Sequence, residues 1–446
     1  MTATDPFVQR LTKPRRPGEQ MLLTEVHREH MTARVRGRLL EGIDQGHEHH
    51  QAARVLAGGR LGYQGARAAD WDALLEGARA SAGGSEWTSL VLSGLDEHSP
   101  SEASADAVRN PDPAQLAQMA LDMGRALSEQ APDVVPQAQV QWMRQWTRLV
   151  DGDGREQRWM RAEGRATLSG RVVRDGDFMA VGANGWRSAA LPDPGGLLDH
   201  IRTRMAWGRC IVPLEAGALP VVFMPPVGFS LLAPLLARLS APAVTAKTSP
   251  WSDALDTVVA SPDLSVVSDS RITDGPRSVP WDDEGTATRP VPLIDRGVLR
   301  HWVLDRRAAH QLGQPALGLG FGGDLGSPPT PRPSNVAVSP GATAWEDLLR
   351  STPRLLILEG WVGGRPVNPL RGEMAGTATG LYLVDHGEVV GRVKNVVVSV
   401  NALEAWGSRL SHLGDTRQWV GGGMMPLAPS YLPPILVQDV AVAVKS

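Results

Sequence analysis

The densest run of potential ligand side chains is His47-Glu48-His49-His50, and His27 and His30 stand three residues apart, the spacing of one helix face. Imidazole and carboxylate are zinc ligands, and a catalytic zinc takes about three of them plus an open position for water. Neither group has the ligand spacing of a known site, so both read as solvated surface. Asp282-Asp283-Glu284 could serve as an acid/base pair, yet adjacent carboxylates directly before Gly285 more simply cap a turn. No histidine adjoins Cys210 in sequence, and it reads as a small buried hydrophobe. Asn335, three residues after Arg332, reads as a loop residue that bonds backbone.

These residues must be held by elements that alternate between helix and strand. Leu22 to Ile43 reads as helical or mixed. Arg54 to Gly65 reads as a hairpin turning at Gly58-Gly59. Asp70 to Ala82 has the period of an amphipathic helix, with Trp71, Leu74, Leu75 and Ala78 on one face, and Pro113 to Gln130 repeats it with Leu116, Met119, Ala120, Met123 and Leu127. The Ser-, Asp- and Pro-rich stretch from Leu95 to Pro113 is expected to be a surface loop. Strands are expected around Trp146–Val150, Ala166–Val173 and Asp263–Asp269, with a strand-turn-strand over Pro292–Leu299 and a helix from Asp305 to Leu312. A short helix is expected at Glu346-Asp347, a hairpin turn at Asp385-His386-Gly387-Glu388, and a buried strand over the β-branched run Val393–Val400.

Composition sets the outer limits. A chain of 446 residues and 47.8 kDa buries roughly three quarters of its unfolded surface and divides into two or three domains. A net charge of −3 gives no electrostatic reason to expect nucleic acid or an anionic membrane. The single cysteine excludes an internal disulfide and fits a reducing cytoplasm. The first twenty residues are polar and lack an apolar run, so no signal peptide is expected. From Ala216 to Ala237 no side chain is charged, but Pro220, Pro225, Pro226 and Pro234 interrupt the stretch. It reads as a buried strand, a Pro-Pro turn and a helix rather than a membrane span.

Five pieces between residues 332 and 401 carry a resemblance. Arg332-Pro333-Ser334-Asn335, Pro340-Gly341, the run Val362-Gly363-Gly364 to Asn368-Pro369 and Gly372, the hairpin Gly380–Glu388 and the strand Val393–Asn401 succeed one another as in the carboxy-terminal domain of TldD/PmbA proteins. The elements at Asp282–Gly285, Leu293–Leu299 and Asp305–Ala308, and more loosely the hairpin at Gly58 with its adjoining helix, extend the likeness from about residue 50 to the end. The implied fold is α+β: a mixed α/β domain over residues 1–200, then a mostly antiparallel β-rich domain over 201–446. Its central region, 201–330, corresponds to the part that holds the metal helix in TldD relatives. The resemblance also implies substrate contacts around Asn335, Gly363, Gly364 and Asn368, although Gly and Asn serve tight turns as readily.

The TldD branch resembles a zinc peptidase with H-E-x-x-x-H after an apolar Leu-Leu pair and a late cysteine ligand. Aligned on Leu231-Leu232, this chain has Ala233, Pro234 and Arg238 where the first histidine, the glutamate and the second histidine would fall. At the place of the cysteine it has Val420 to Pro426, whose only soft donors are the thioethers of Met424 and Met425. It therefore looks like the TldE (PmbA) branch, which lacks the motif. The resemblance then implies a metal-free subunit that pairs with a zinc-bearing TldD-like homologue in the cytoplasm and encloses a chamber for unfolded or leader-bearing peptides. Two other readings stand beside it: a peptide-binding or scaffold protein without peptidase activity, and an autonomous peptidase that uses other residues.

Overall fold

The computed structural model describes residues 16–67, 70–84, 92, 95, 110–174, 177–322, 327–366, 368–421 and 428–445. Six long strands, β1 (Gln20–Arg36), β2 (Leu39–Ala57), β3 (Arg60–Arg67), β4 (Val135–Asp151), β5 (Glu156–Arg174) and β6 (Asp177–Ser188), form one antiparallel sheet in the order β3-β2-β1-β4-β5-β6. On one face lie α1 (Trp71–Ala82), α2 (Pro113–Gln130) and α3 (Pro194–Trp207). The apolar faces expected for α1 and α2 are the faces buried. Asp112 opens α2 with a capping box shared with Gln115, which satisfies two of the free backbone donors at its start. The β2–β3 hairpin turns at Gly58 and Gly59, both with positive φ, as a two-residue reversal requires.

The reading of Leu22 to Ile43 as helical or mixed is corrected: these residues belong to β1 and β2. The alternation that would reveal a strand is lost because this end of β1 is covered on both sides. Leu23 packs beneath α1, while its neighbour Leu22 packs on the other face with Leu149, Trp159, Val279 and Trp281. Both are buried, so no period of two survives. The strands expected at Trp146–Val150 and Ala166–Val173 are the middles of the longer β4 and β5. Most of the loop expected at Leu95–Pro113 lies outside the described residues; Leu95 itself is buried against Leu22.

The second half contains two more sheets. β7 (Gly217–Phe223), β14 (Arg354–Val362), β15 (Glu373–Asp385), β17 (Val396–Asn401) and β21 (Ile435–Val444) pair in a ring, since β15 meets both β17 and β14; β16 (Glu388–Arg392) and β18 (Leu410–Leu413) attach to it. Only β7–β14 is parallel within this sheet. The other sheet runs β10 (Val298–Leu299), β9 (Val291–Asp295), β8 (Val266–Ser268), β13 (Val336–Val338), β20 (Ser430–Leu432), β19 (Gln418–Val420), and β11 (Gly320–Phe321) pairs with β12 (Thr330–Pro331) apart from it. Helix α4 (Pro225–Leu239) belongs to a single core that draws on both large sheets. Short helices α5 (Ala241–Thr245), α6 (Arg306–Gln311), α7 (Trp345–Arg350) and α8 (Ala402–Ala405) fill the joints. The uncharged stretch Ala216–Ala237 is thus β7, a Pro225-Pro226 helix start and α4, and no described helix is long and apolar enough to cross a membrane.

Candidate functional site

Helix α4 carries Ala233, Pro234 and Arg238, the positions that the resemblance aligns with a zinc motif. Pro225 and Pro226 occupy its first turn, where no backbone N–H is needed, and the apolar run after them is buried on nearly every side. Ala233 is half-buried, Pro234 is buried inside the helix, and Arg238 donates through Nε and Nη2 to the Leu370 carbonyl at 3.0 and 2.7 Å. Its guanidinium also lies 5.4 Å from the centre of the Trp251 ring. A methyl, a pyrrolidine and a committed cation are not zinc donors, so these residues do not fit the metal. The late segment Gly422–Leu427, which contains Met424 and Met425, lies outside the described residues.

The residues expected to contact substrate are bound up in local structure. Asn335 is fully buried; its Nδ2 donates to the Asp269 carbonyl at 2.9 Å and to Ser278 Oγ at 3.2 Å, and its Oδ1 accepts from the Arg277 N–H at 2.9 Å. It clamps the loop from Asp269 to Ser278. Gly363 has a φ of 98°, and a Cβ on Gly364 would stand 2.0 Å from the Trp361 indole. Asn368 Oδ1 accepts from the Leu370 N–H at 3.0 Å, and its carbonyl accepts from Arg371 and Gly372. Arg238 and Asn368 therefore hold the same 368–372 turn from two sides.

Between the first sheet and the second half lies a cavity of about 110 Å³. Alternate residues of β1 and β2 supply one wall, including Val26, Arg28, His50 and Arg54, because side chains two apart share a sheet face. β4 and β5 add Gln145, Trp159 and Arg161. The opposite wall is Arg277, Asp283 and Phe321. Gln145 Oε1 accepts from Arg28 at 2.9 and 3.2 Å and from Arg161 at 3.2 Å, so one amide oxygen joins two guanidinium groups. Arg277 makes no side-chain hydrogen bond or ion pair with any described residue, and burial together with Arg161 pushes it down to about 10.

The acid run Asp282–Glu284 caps its turn. Asp282 accepts from the N–H groups of Glu284, Thr286 and Gly320 at 3.0, 2.8 and 2.9 Å. Burial, with Glu284 beside it, still pushes its carboxyl well above the usual range. Asp283 accepts from Gly322 N–H at 2.7 Å and is likewise raised by burial. Glu284 makes a buried ion pair with Arg54 at 2.9 Å and accepts from the Arg306 N–H at 2.7 Å, tying β2 to the second half.

Three readings of the donor side chains change. His27 and His30 are on a strand, so they point to opposite faces, and β1–β2 register sets His27 opposite His49 instead. Their rings stack at 4.1 Å, and Glu25 Oε1 lies 2.9 Å from His49 Nε2 and 3.7 Å from His27 Nε2. Burial and His49 push His27 down, which keeps it neutral near pH 7. Two imidazoles and a carboxylate are suitable donors for a divalent cation, although Arg148, 3.9 Å from Glu25, competes. His50, read as solvated surface, is buried on the cavity wall. Cys210, read as buried, is exposed, because the turn after α3 fastens its carbonyl to the Arg392 N–H at 2.8 Å and leaves the side chain outside. The cavity escaped sequence reasoning since its opposite walls come from segments over a hundred residues apart.

The architecture is that of a PmbA/TldD metallopeptidase-like protein. Residues 216–444, over half the chain, match the model described as "PmbA/TldA metallopeptidase C-terminal domain". The chain belongs to the PmbA/TldD family. It superposes on TldE from Thermococcus kodakarensis with a TM-score of 0.83 at 18% identity over 98% of each chain. A putative modulator of a DNA gyrase from Thermotoga maritima gives 0.78 at 18% identity over 96% of each. At such identities the likeness is one of fold. Among curated proteins, a metalloprotease TldD homolog of Buchnera aphidicola is 26% identical over 168 residues, 38% of this chain and 34% of the relative. A metalloprotease of Methanocaldococcus jannaschii is 29% identical over 156 residues, 35% of this chain and 34% of the relative. The matches thus span about a third of these relatives.

Proposed function

We propose that this chain is the metal-free, TldE-like subunit of a heterodimeric zinc peptidase of the cytoplasm, forming half of the chamber wall and part of the groove for unfolded or leader-bearing peptides. A TldD-like homologue would supply the zinc and the general base. The observation that carries this reading is the state of α4: Ala233 and Pro234 offer no donor, and Arg238 is committed to the Leu370 carbonyl. A second chain also has somewhere to dock. The β1–β2 turn, the start of β4 and the adjoining ends of β5 and β6 lie at one end of the first sheet, where Leu39, Ile43, Val135, Val173 and Phe178 are exposed. A homologous pair would bury on the order of 2,000 Å².

The test is to purify the tagged chain gently from its own cells and measure native mass and zinc. A second chain of similar size with about one zinc per pair is expected, and the zinc should persist in a His27→Ala/His49→Ala variant, which empties the Glu25 cluster of imidazoles. A lone chain or homodimer without zinc would refute the proposal, as would zinc-dependent peptidase activity from this chain alone.

A further inference from the structure

The cavity between the first sheet and the second half has an unbalanced charge. Arg54 is paired with Glu284, Arg28 lies 3.8 Å from Glu48, and Arg161 lies 3.7 Å from Glu163. Asp283 faces Arg161 and Arg277, but burial raises its carboxyl and its Oδ2 is taken by the Gly322 N–H. Arg277 is left beside Arg161 with no carboxylate at ion-pair distance among the described residues. A half-buried cation with no ion-pair partner is partly desolvated at a cost, which a bound anion would offset. Two more polar atoms on the same wall have no partner among the described residues: Arg54 Nη1 and His50 Nε2, on side chains more than nine-tenths buried.

We infer that this cavity binds one carboxylate group of a peptide through the Arg277 guanidinium, with Arg161 and Arg28 beside it and Trp159 and Phe321 against the attached hydrocarbon. The charge count favours this class of ligand. One uncompensated guanidinium matches a single negative charge, and its planar fork matches a carboxylate in two parallel hydrogen bonds. A phosphate dianion would leave an excess charge in a site whose own acid already resists ionisation. About 110 Å³ holds a carboxylate with a short hydrocarbon stem and excludes a folded partner. The inference rests on the peptide reading for the identity of the ligand, and on the cavity alone for its chemistry. The carboxylate could be a chain terminus or an acidic side chain.

Calorimetric titration of the full chain with one capped peptide in three forms separates these sources: the C-terminal acid, the C-terminal amide, and the amide carrying one Glu. Acetate is the fourth titrant. The acid, the Glu form or both should bind at least tenfold more tightly than the plain amide, and Arg277→Gln should abolish that difference while Arg277→Lys keeps part of it. Preference for the acid assigns a peptide terminus; preference for the Glu form assigns a side chain. If acetate binds in an Arg277-dependent manner and no peptide does, the carboxylate site stands and the peptide reading falls. Equal binding of all three peptides, or no Arg277-dependent binding by any titrant, overturns the inference. Matching thermal unfolding of the Gln and Lys variants guards against loss of fold.

Discussion

At the scale of single residues, the cavity sets binding against stability at Arg277. Its backbone N–H is held by Asn335, and its half-buried guanidinium has no carboxylate at ion-pair distance among the described residues. Replacing it with a neutral, apolar side chain removes that penalty. Arg277→Leu is expected to raise stability by on the order of 1 kcal/mol in urea unfolding while carboxylate affinity disappears. A loss of stability would mean that the guanidinium has partners in solution and that the cavity is neutralised from within. The same group predicts a pH dependence. With its proton affinity lowered to about 10, Arg277 stays charged at neutral pH, and ligand affinity should fall as pH rises through about 10. Bound carboxylate should move that fall to higher pH.

At the scale of elements, α4 shows how a helix tolerates an internal proline. Pro234 withdraws a backbone donor from its interior, and burial of Leu231, Leu232, Leu235 and Leu236 compensates. Arg238 closes the helix onto the 368–372 turn, so Arg238→Met should destabilise the protein by about 1–2 kcal/mol and speed hydrogen exchange at Arg371 and Gly372, whose N–H groups bond the Asn368 carbonyl. Unchanged exchange there would show that Asn368 forms the turn unaided. These elements were largely legible in sequence because their signals are local. The apolar spacing of α1 and α2, the caps at Asp112 and Asp305, and the reversals at Gly58-Gly59 and His386-Gly387 each lie within a few residues. β1 was not legible, since contacts from two distant layers bury Leu22 and Leu23 alike. Nor was the stacking of His27 on His49, which depends on strand register.

At the scale of the whole molecule, the two halves meet at more than the cavity, and the second junction responds to acid. Glu359 of β14 lies between His200 and Arg204 of α3, at 3.5 Å from His200, with Trp207 edge-on to Tyr382 nearby. Burial raises the Glu359 carboxyl, but the His200 hydrogen bond and the Arg204 charge outweigh it and hold it below its usual value. A carboxyl lowered on folding contributes stability above its unfolded pKa of about 4.3, and that contribution is lost as pH falls through the lower folded value. Glu359→Gln should therefore cost on the order of 3 kcal/mol at pH 7, because it leaves Arg204 buried without its partner. The gap between wild type and variant should narrow steadily below about pH 4 as the wild-type carboxyl protonates. Urea unfolding of both proteins from pH 7 to 3 measures that gap. A constant gap would show that Glu359 acts through packing alone.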